Sequence, residues 1–109
     1  MKRVVEYLFA QDDLRLELKA VDGTCVSALR ALVETCGAPL GGCIILSTVL
    51  ADGVFARLTQ KDFTNVFRSK TGVFRSLADA TDLSVLDFVV GFSSVSGAFG
   101  VGGQSNYGA

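Results

Sequence analysis

Lys70, Ser94 and Tyr107 are the residues whose types and positions invite chemistry. Lys70 falls between Phe67 and Phe74 on what reads as the apolar stripe of a helix, where a leucine would be expected. Two readings are open for it: the butyl stem covers the core while the ammonium reaches water, or the amine is desolvated beside an acid that it tunes. Ser94 and Tyr107 flank a loop containing Gly97, Gly100, Gly102 and Gly103, supple enough to bring a tyrosine back beside a strand end. Taken separately, a serine pair after a strand and an Asn-Tyr pair near a chain end are also ordinary turn residues. The sequence contains no histidine, which excludes histidine-based triads, histidine metal sites and a histidine pH switch. Chemistry must come from Ser, Tyr, Lys, Cys or carboxylates.

The elements that would position these residues alternate. Residues 2 to 10 read as a helix with Val4, Val5 and Leu8 on one side, followed by a polar break at Gln11-Asp12-Asp13. Leu14, Leu16 and Leu18 alternate with Arg15, Glu17 and Lys19, which predicts a strand running to Val21 with one wet face. Asp22-Gly23-Thr24 turns the chain into a helix with Thr24 as N-cap and Val26, Leu29, Leu32, Val33 and Cys36 as its stripe, stopped by Gly37 and Pro39. Cys43-Ile44-Ile45-Leu46, bounded by Gly41-Gly42 and the polar Ser47-Thr48, is a continuous apolar run of the kind buried on both faces of a parallel sheet. Thr59 and Asp62 have the spacing of a capping box and open a helix carrying Phe63, Val66, Phe67, Val73, Phe74 and Leu77, with Gly72 weakening its middle. Residues 86 to 92 are a last apolar strand, followed by the Gly-rich loop.

Strands alternating with helices predict βαβ units and a parallel sheet, with ligands beyond the strand C-termini. Those ends carry Asp22, Ser47-Thr48 and Ser93-Ser94, although strands must end in polar turns in any case. The loop at residues 97 to 103 does not match the G-x-G-x-x-G fingerprint and is not a phosphate cradle.

With 109 residues, half of them apolar and about a fifth charged, the chain suits a single domain. Ten basic against eleven acidic residues and no basic run give no electrostatic case for nucleic acid. No apolar run approaches the roughly 20 residues that span a bilayer, so a cytoplasmic chain with no membrane partner is expected. Cys25, Cys36 and Cys43 are odd in number and lack C-x-x-C spacing, and read as small buried hydrophobes from a reducing compartment; no metal is expected.

The stretch Phe92-Ser93-Ser94-Val95-Ser96-Gly97 followed by Gly103-Gln104-Ser105-Asn106-Tyr107 resembles the active-site region of ketoreductase domains of polyketide synthases and animal-type fatty acid synthases, in the short-chain dehydrogenase/reductase superfamily, with the fungal polyketide synthases nearest in character. Ser94 precedes Tyr107 by 13 positions and Lys70 precedes Ser94 by 24, which are that family's spacings for its catalytic serine, tyrosine and lysine. The resemblance runs back through Ala20-Val21-Asp22-Gly23-Thr24 and through residues 42 to 52, and so covers essentially the whole chain. Where relatives often carry His-Ala-Ala-Gly, this chain has Ile45-Leu46-Ser47-Thr48. Leu50-Ala51-Asp52 keeps the last aspartate of a Leu-Asp-Asp signature tied to one stereochemical class, while Phe99 stands where the opposite class has tryptophan.

The resemblance implies NADPH-dependent reduction of a β-ketoacyl thioester carried on an acyl carrier protein, within a larger synthase whose other domains are partners. It implies catalytic roles for Lys70, Ser94 and Tyr107, cofactor contacts for Asp22, Ser47 and Thr48, and a substrate-side position for Asp52, itself equally readable as a turn aspartate. The implied fold is α/β, an incomplete Rossmann-like sheet with helices, lacking the N-terminal Gly-rich βα unit and the C-terminal part, with residues 1–109 a single partial domain. In the strand order 3-2-1-4-5-6 the three expected strands would be numbers 3, 4 and 5. The first would then stand about 14 Å from the others, at about 4.8 Å per strand step. It must either close against strand 43 to 47 in a new arrangement or stay loosely attached. A marginal chain, inactive by itself, is the expectation. The alternative is a non-catalytic α/β interaction or dimerisation module that uses exposed strand edges.

Overall fold

The computed structural model describes residues 2–108, apart from the side chains of Lys2 and Val5. Helix α1 spans Lys2–Phe9 and α2 spans Val26–Glu34; strand β1 spans Gly42–Ile45. Helix α3 spans Gln60–Phe67, a π-helical turn spans Arg68–Gly72, and α4 spans Val73–Ala80. Strand β2 spans Phe88–Gly91 and α5 spans Val95–Phe99. Short 3₁₀ turns at Phe55–Arg57 and Leu83–Val85 complete the order.

β1 and β2 pair in parallel, with Gly42 opposite Phe88 and Ile45 opposite Gly91. Such a pairing requires a long crossover, and α3, the π turn and α4 supply it as one nearly continuous rod. The rod begins where the sequence predicts. The Asp62 carboxylate accepts from the Thr59 backbone N–H at 2.8 Å, and the Thr59 hydroxyl accepts from the Asp62 N–H at 3.4 Å, forming the reciprocal box. Its C-terminal half packs on α2, where Leu29, Cys43, Ile45, Val73 and Leu77 line one apolar space between the two helices and β1. Polar bonds fix the same contact, from Arg30 Nη2 to the Asp79 carbonyl at 2.8 Å and from the Ser76 hydroxyl to the Thr24 carbonyl at 3.0 Å.

Four expectations need correction. Residues 14 to 21 form no strand: Leu14, Leu18 and Val21 are exposed, and the described sheet contains β1 and β2 alone. An alternating pattern makes a strand only when a neighbour completes the ladder, and β1 pairs with β2 alone. Of the two outcomes foreseen for this segment, loose attachment is the one found. Thr24 does not cap α2. Its N–H and hydroxyl both donate to the Asp22 carboxylate, and Cys25 takes the N-cap position without a side-chain bond. Cys36 is exposed, while Cys25 and Cys43 are half-buried, and all three thiols are free. The Gly-rich segment after β2 begins with a helix, α5, capped by the Ser94 hydroxyl accepting from the Ser96 N–H at 3.2 Å.

The core is thin. Among the described residues only Val66 and Leu77 are buried apolar side chains, at 3% and 6% exposed. The radius of gyration is 16.5 Å, against about 13 Å for a compact chain of this length. No helix of the described residues is long and apolar enough to cross a membrane.

Candidate functional site

The site lies beyond the C-terminal ends of β1 and β2. Ser47 and Thr48 follow β1, and Ser94 follows β2. Lys70 comes from the π turn, and Tyr107 from the turn after α5. The π turn has no counterpart in the sequence reading, which expects an uninterrupted helix. An i→i+5 turn widens the helix locally, and such turns recur at functional sites. Here it presents Ser69 to the β1 end: the Ser47 hydroxyl donates to the Ser69 carbonyl, and the Ser69 hydroxyl accepts from the Val49 N–H at 3.2 Å. The same turn sends Lys70 across to the β2 end, where its ammonium donates to the Phe92 carbonyl at 3.0 Å. Lys70 is half-buried, and among the described residues its amine makes no ion pair with a carboxylate.

The Lys70 ammonium also sits 5.1 Å from the centroid of the Tyr107 ring, inside cation–π range. The Tyr107 phenol meets the Thr48 hydroxyl at 3.4 Å, a long contact for two hydroxyls, with room to tighten around a substrate oxygen. The phenol is held below the usual tyrosine range, first by the hydrogen bond with Thr48, then by the Ser94 hydroxyl, with Lys70 adding donor and charge effects. Each of these favours the phenolate over the neutral phenol. Thr48 therefore contacts the phenol oxygen directly, while Lys70 lies over the ring that carries it.

A cleft of about 410 Å³ adjoins them, lined by Asp22, Thr24, Ser47, Thr48, Arg68 and Ser69 among others. The Asp22 carboxyl lies below the usual carboxylate range because the Thr24 N–H and hydroxyl donate to it, with a weaker contribution from the Arg68 guanidinium at 3.8 Å. Arg68 is anchored by two bonds to the Thr24 hydroxyl, at 3.1 and 2.7 Å. Asp22, Ser47 and Thr48, singled out in the sequence, thus share one cavity, with Thr48 at the boundary toward the phenol.

Asp52 stands apart from that cleft. Its carboxylate accepts from Gln104 Nε2 at 3.0 Å, and Gln104 Oε1 accepts from the Ser96 hydroxyl at 2.9 Å. Phe99 is 85% exposed. Three participants are not singled out by the sequence: Arg68, Ser69 and Asn106. Arg68 sits beside Lys70 on a helix whose register only the π turn sets. Asn106 belongs to the Gly103–Tyr107 stretch, where its residue type alone assigns it no role.

A parallel α/β unit with its polar residues gathered beyond the strand ends is a Rossmann-like arrangement. The KR domain family profile matches residues 1–109, and the chain belongs to that ketoreductase family. It is 34% identical over 107 residues to the highly reducing polyketide synthase stpks1 of Strobilurus tenacellus, covering 98% of this chain and 4% of that one. It is 38% identical over 97 residues to the polyketide synthase GfsB of Streptomyces halstedii, covering 87% of this chain and 2% of that one. A solved structure of A-type ketoreductases from modular polyketide synthase superposes with a TM-score of 0.78 at 34% identity, covering 87% of this chain and 21% of that one. The chain therefore spans a few per cent of the length of these curated relatives.

Proposed function

We propose that this chain carries the reducing site of a β-ketoacyl thioester reductase that uses NADPH and works within a polyketide synthase. The observation that carries this reading is the Tyr107 phenol held against the Thr48 hydroxyl with the Lys70 ammonium over its ring, in a chain of the ketoreductase family.

When bound, NADPH supplies the hydride. The cleft that Thr48 lines offers a carboxylate, four hydroxyls and a guanidinium, a set that fits the amine, hydroxyl and phosphate groups of a nicotinamide dinucleotide. Asp22, Ser47 and Thr48 are the residues that would hold it. As the ketone carbon is reduced, negative charge grows on its oxygen. Ser94 donates a hydrogen bond to that oxygen, and Tyr107 Oη transfers its proton there, leaving a β-hydroxyacyl thioester and a phenolate. Lys70 stabilises the phenolate until a proton returns from solvent. Asp52 is the residue we assign to the substrate side. An acyl carrier protein presents the substrate, and neighbouring synthase domains surround this one.

The test is oxidation of NADPH by a β-ketoacyl thioester, measured with the chain alone and with the chain built into a complete ketoreductase domain. Turnover in the complete domain that disappears on Tyr107→Phe supports the reading. Absence of both dinucleotide binding and turnover there sinks it and leaves an α/β interaction module, a role to which exposed Ile44, Phe88, Val90 and Phe92 would lend themselves.

A further inference from the structure

Asn106 is the most deeply buried side chain among the described residues, 1% exposed in a chain that buries little else. Its Nδ2 donates to the Ala51 carbonyl at 2.8 Å. A carbonyl only accepts, so this bond fixes which way the amide faces. Its Oδ1 is buried and has no partner among the described residues. Leaving half of a buried amide unsatisfied costs stability, and an apolar side chain of similar volume would fill the space without that cost. Something other than packing explains an asparagine here.

Its position supplies the reason. Asn106 precedes Tyr107, and Ala51 lies three residues beyond Thr48. The bond from Asn106 to Ala51 and the contact from Tyr107 to Thr48 close a ring through residues 48–51 and 106–107. Two other bonds join the outer parts of the same loops, from the Gly53 N–H to the Gly103 carbonyl at 2.8 Å and from Gln104 to Asp52. These lie farther along both loops from the phenol. The Asn106 bond is the clamp nearest to it.

We propose that Asn106 is a positioning residue: by fastening the loop after β1 to the residue before Tyr107, it sets the Thr48 hydroxyl against the phenol. Its catalytic consequence rests on the reductase reading, which gives the phenol a proton to deliver, whereas the placement is independent of it.

The phenol reports its own surroundings. Tyr7 is the other tyrosine of the chain, so Tyr7→Phe leaves Tyr107 alone, and the alkaline rise of tyrosinate absorbance gives its midpoint. The charged group to consider around it is Lys70 from the π turn. In that background Asn106→Leu raises the midpoint by about half a pH unit, the scale of one weakened hydrogen bond to a phenolate. Thr48→Val raises it similarly, and the two substitutions together move it no further than one alone, since both act on the same contact. Circular dichroism checks the fold of each variant. Where Asn106→Leu loses helical signal, Asn106→Ser, which retains a hydroxyl donor, is judged by the same criteria. An unmoved midpoint, strictly additive shifts, or loss of the fold in both Asn106 variants overturns the proposal. Failure of the reductase reading looks different: the coupling between positions 48 and 106 persists while no β-ketoacyl thioester is reduced.

Discussion

The ammonium of Lys70 is tethered to the Phe92 carbonyl at 3.0 Å and lies 5.1 Å from the centre of the Tyr107 ring. One cation thus joins the end of β2 to the turn that carries the phenol. Lys70→Met keeps the stem and removes the charge. The expected outcome is a fall of about 10²-fold in kcat/KM for β-ketoacyl reduction in the complete domain, the lower range for losing support to a general acid. The circular dichroism spectrum should not change. Lys70→Arg, with a broader head than the site holds, recovers only part of the activity.

Tyr107→Phe removes the proton donor and should lower kcat by about 10²- to 10⁴-fold while leaving dinucleotide binding, followed by NADPH fluorescence, unchanged. Donation needs the neutral phenol. Because the hydrogen bond with Thr48, then Ser94 and Lys70, hold the phenol below its usual range, the rate of reduction should fall as pH rises through a midpoint below about 10. In Thr48→Val that midpoint moves upward, extending activity to higher pH.

Asp22 faces the cleft but not the phenol. Asp22→Ala should raise KM for NADPH by about 3- to 10-fold, as expected for one or two lost hydrogen bonds, and leave kcat unchanged. A fall in kcat at saturating NADPH would place Asp22 in the chemistry instead.

The box at the start of α3 predicts a pH-dependent stability. The Thr59 hydroxyl and N–H hold the Asp62 carboxyl below the usual carboxylate range. Its contribution is therefore present above the ordinary carboxylate value and is lost as pH falls through the lowered one. Thr59→Ala should cost about 1 kcal/mol at neutral pH, read from urea unfolding, and that deficit should shrink in acid as the wild-type loses the same bonds.

Much of the frame was legible because it rests on local signals. The apolar runs that become β1 and β2, the stripe of α2 and the Thr59–Asp62 box each depend on residues within a few positions of one another. Residues 14 to 21 misled because alternation marks a side-chain pattern, whereas a strand also needs a partner for its backbone. Helix α5 escaped notice because five residues including a glycine carry little helical propensity, and only the Ser94 cap announces it. The site was legible as residue types at known spacings. The role of Asn106 was not, since burial of a polar side chain is decided by what folds over it.

The π turn between α3 and α4 has a mechanical consequence. An extra residue wound into one turn rotates everything after it about the rod axis, so the two halves need not share a common azimuth. Val73 and Leu77 aim at α2 and β1, while Ser69 and Lys70, a few residues earlier, look toward the strand tips. Anchorage and reactivity are thereby assigned to separate sectors of a single cylinder, and one sector is free to drift in sequence without dragging the other out of aim.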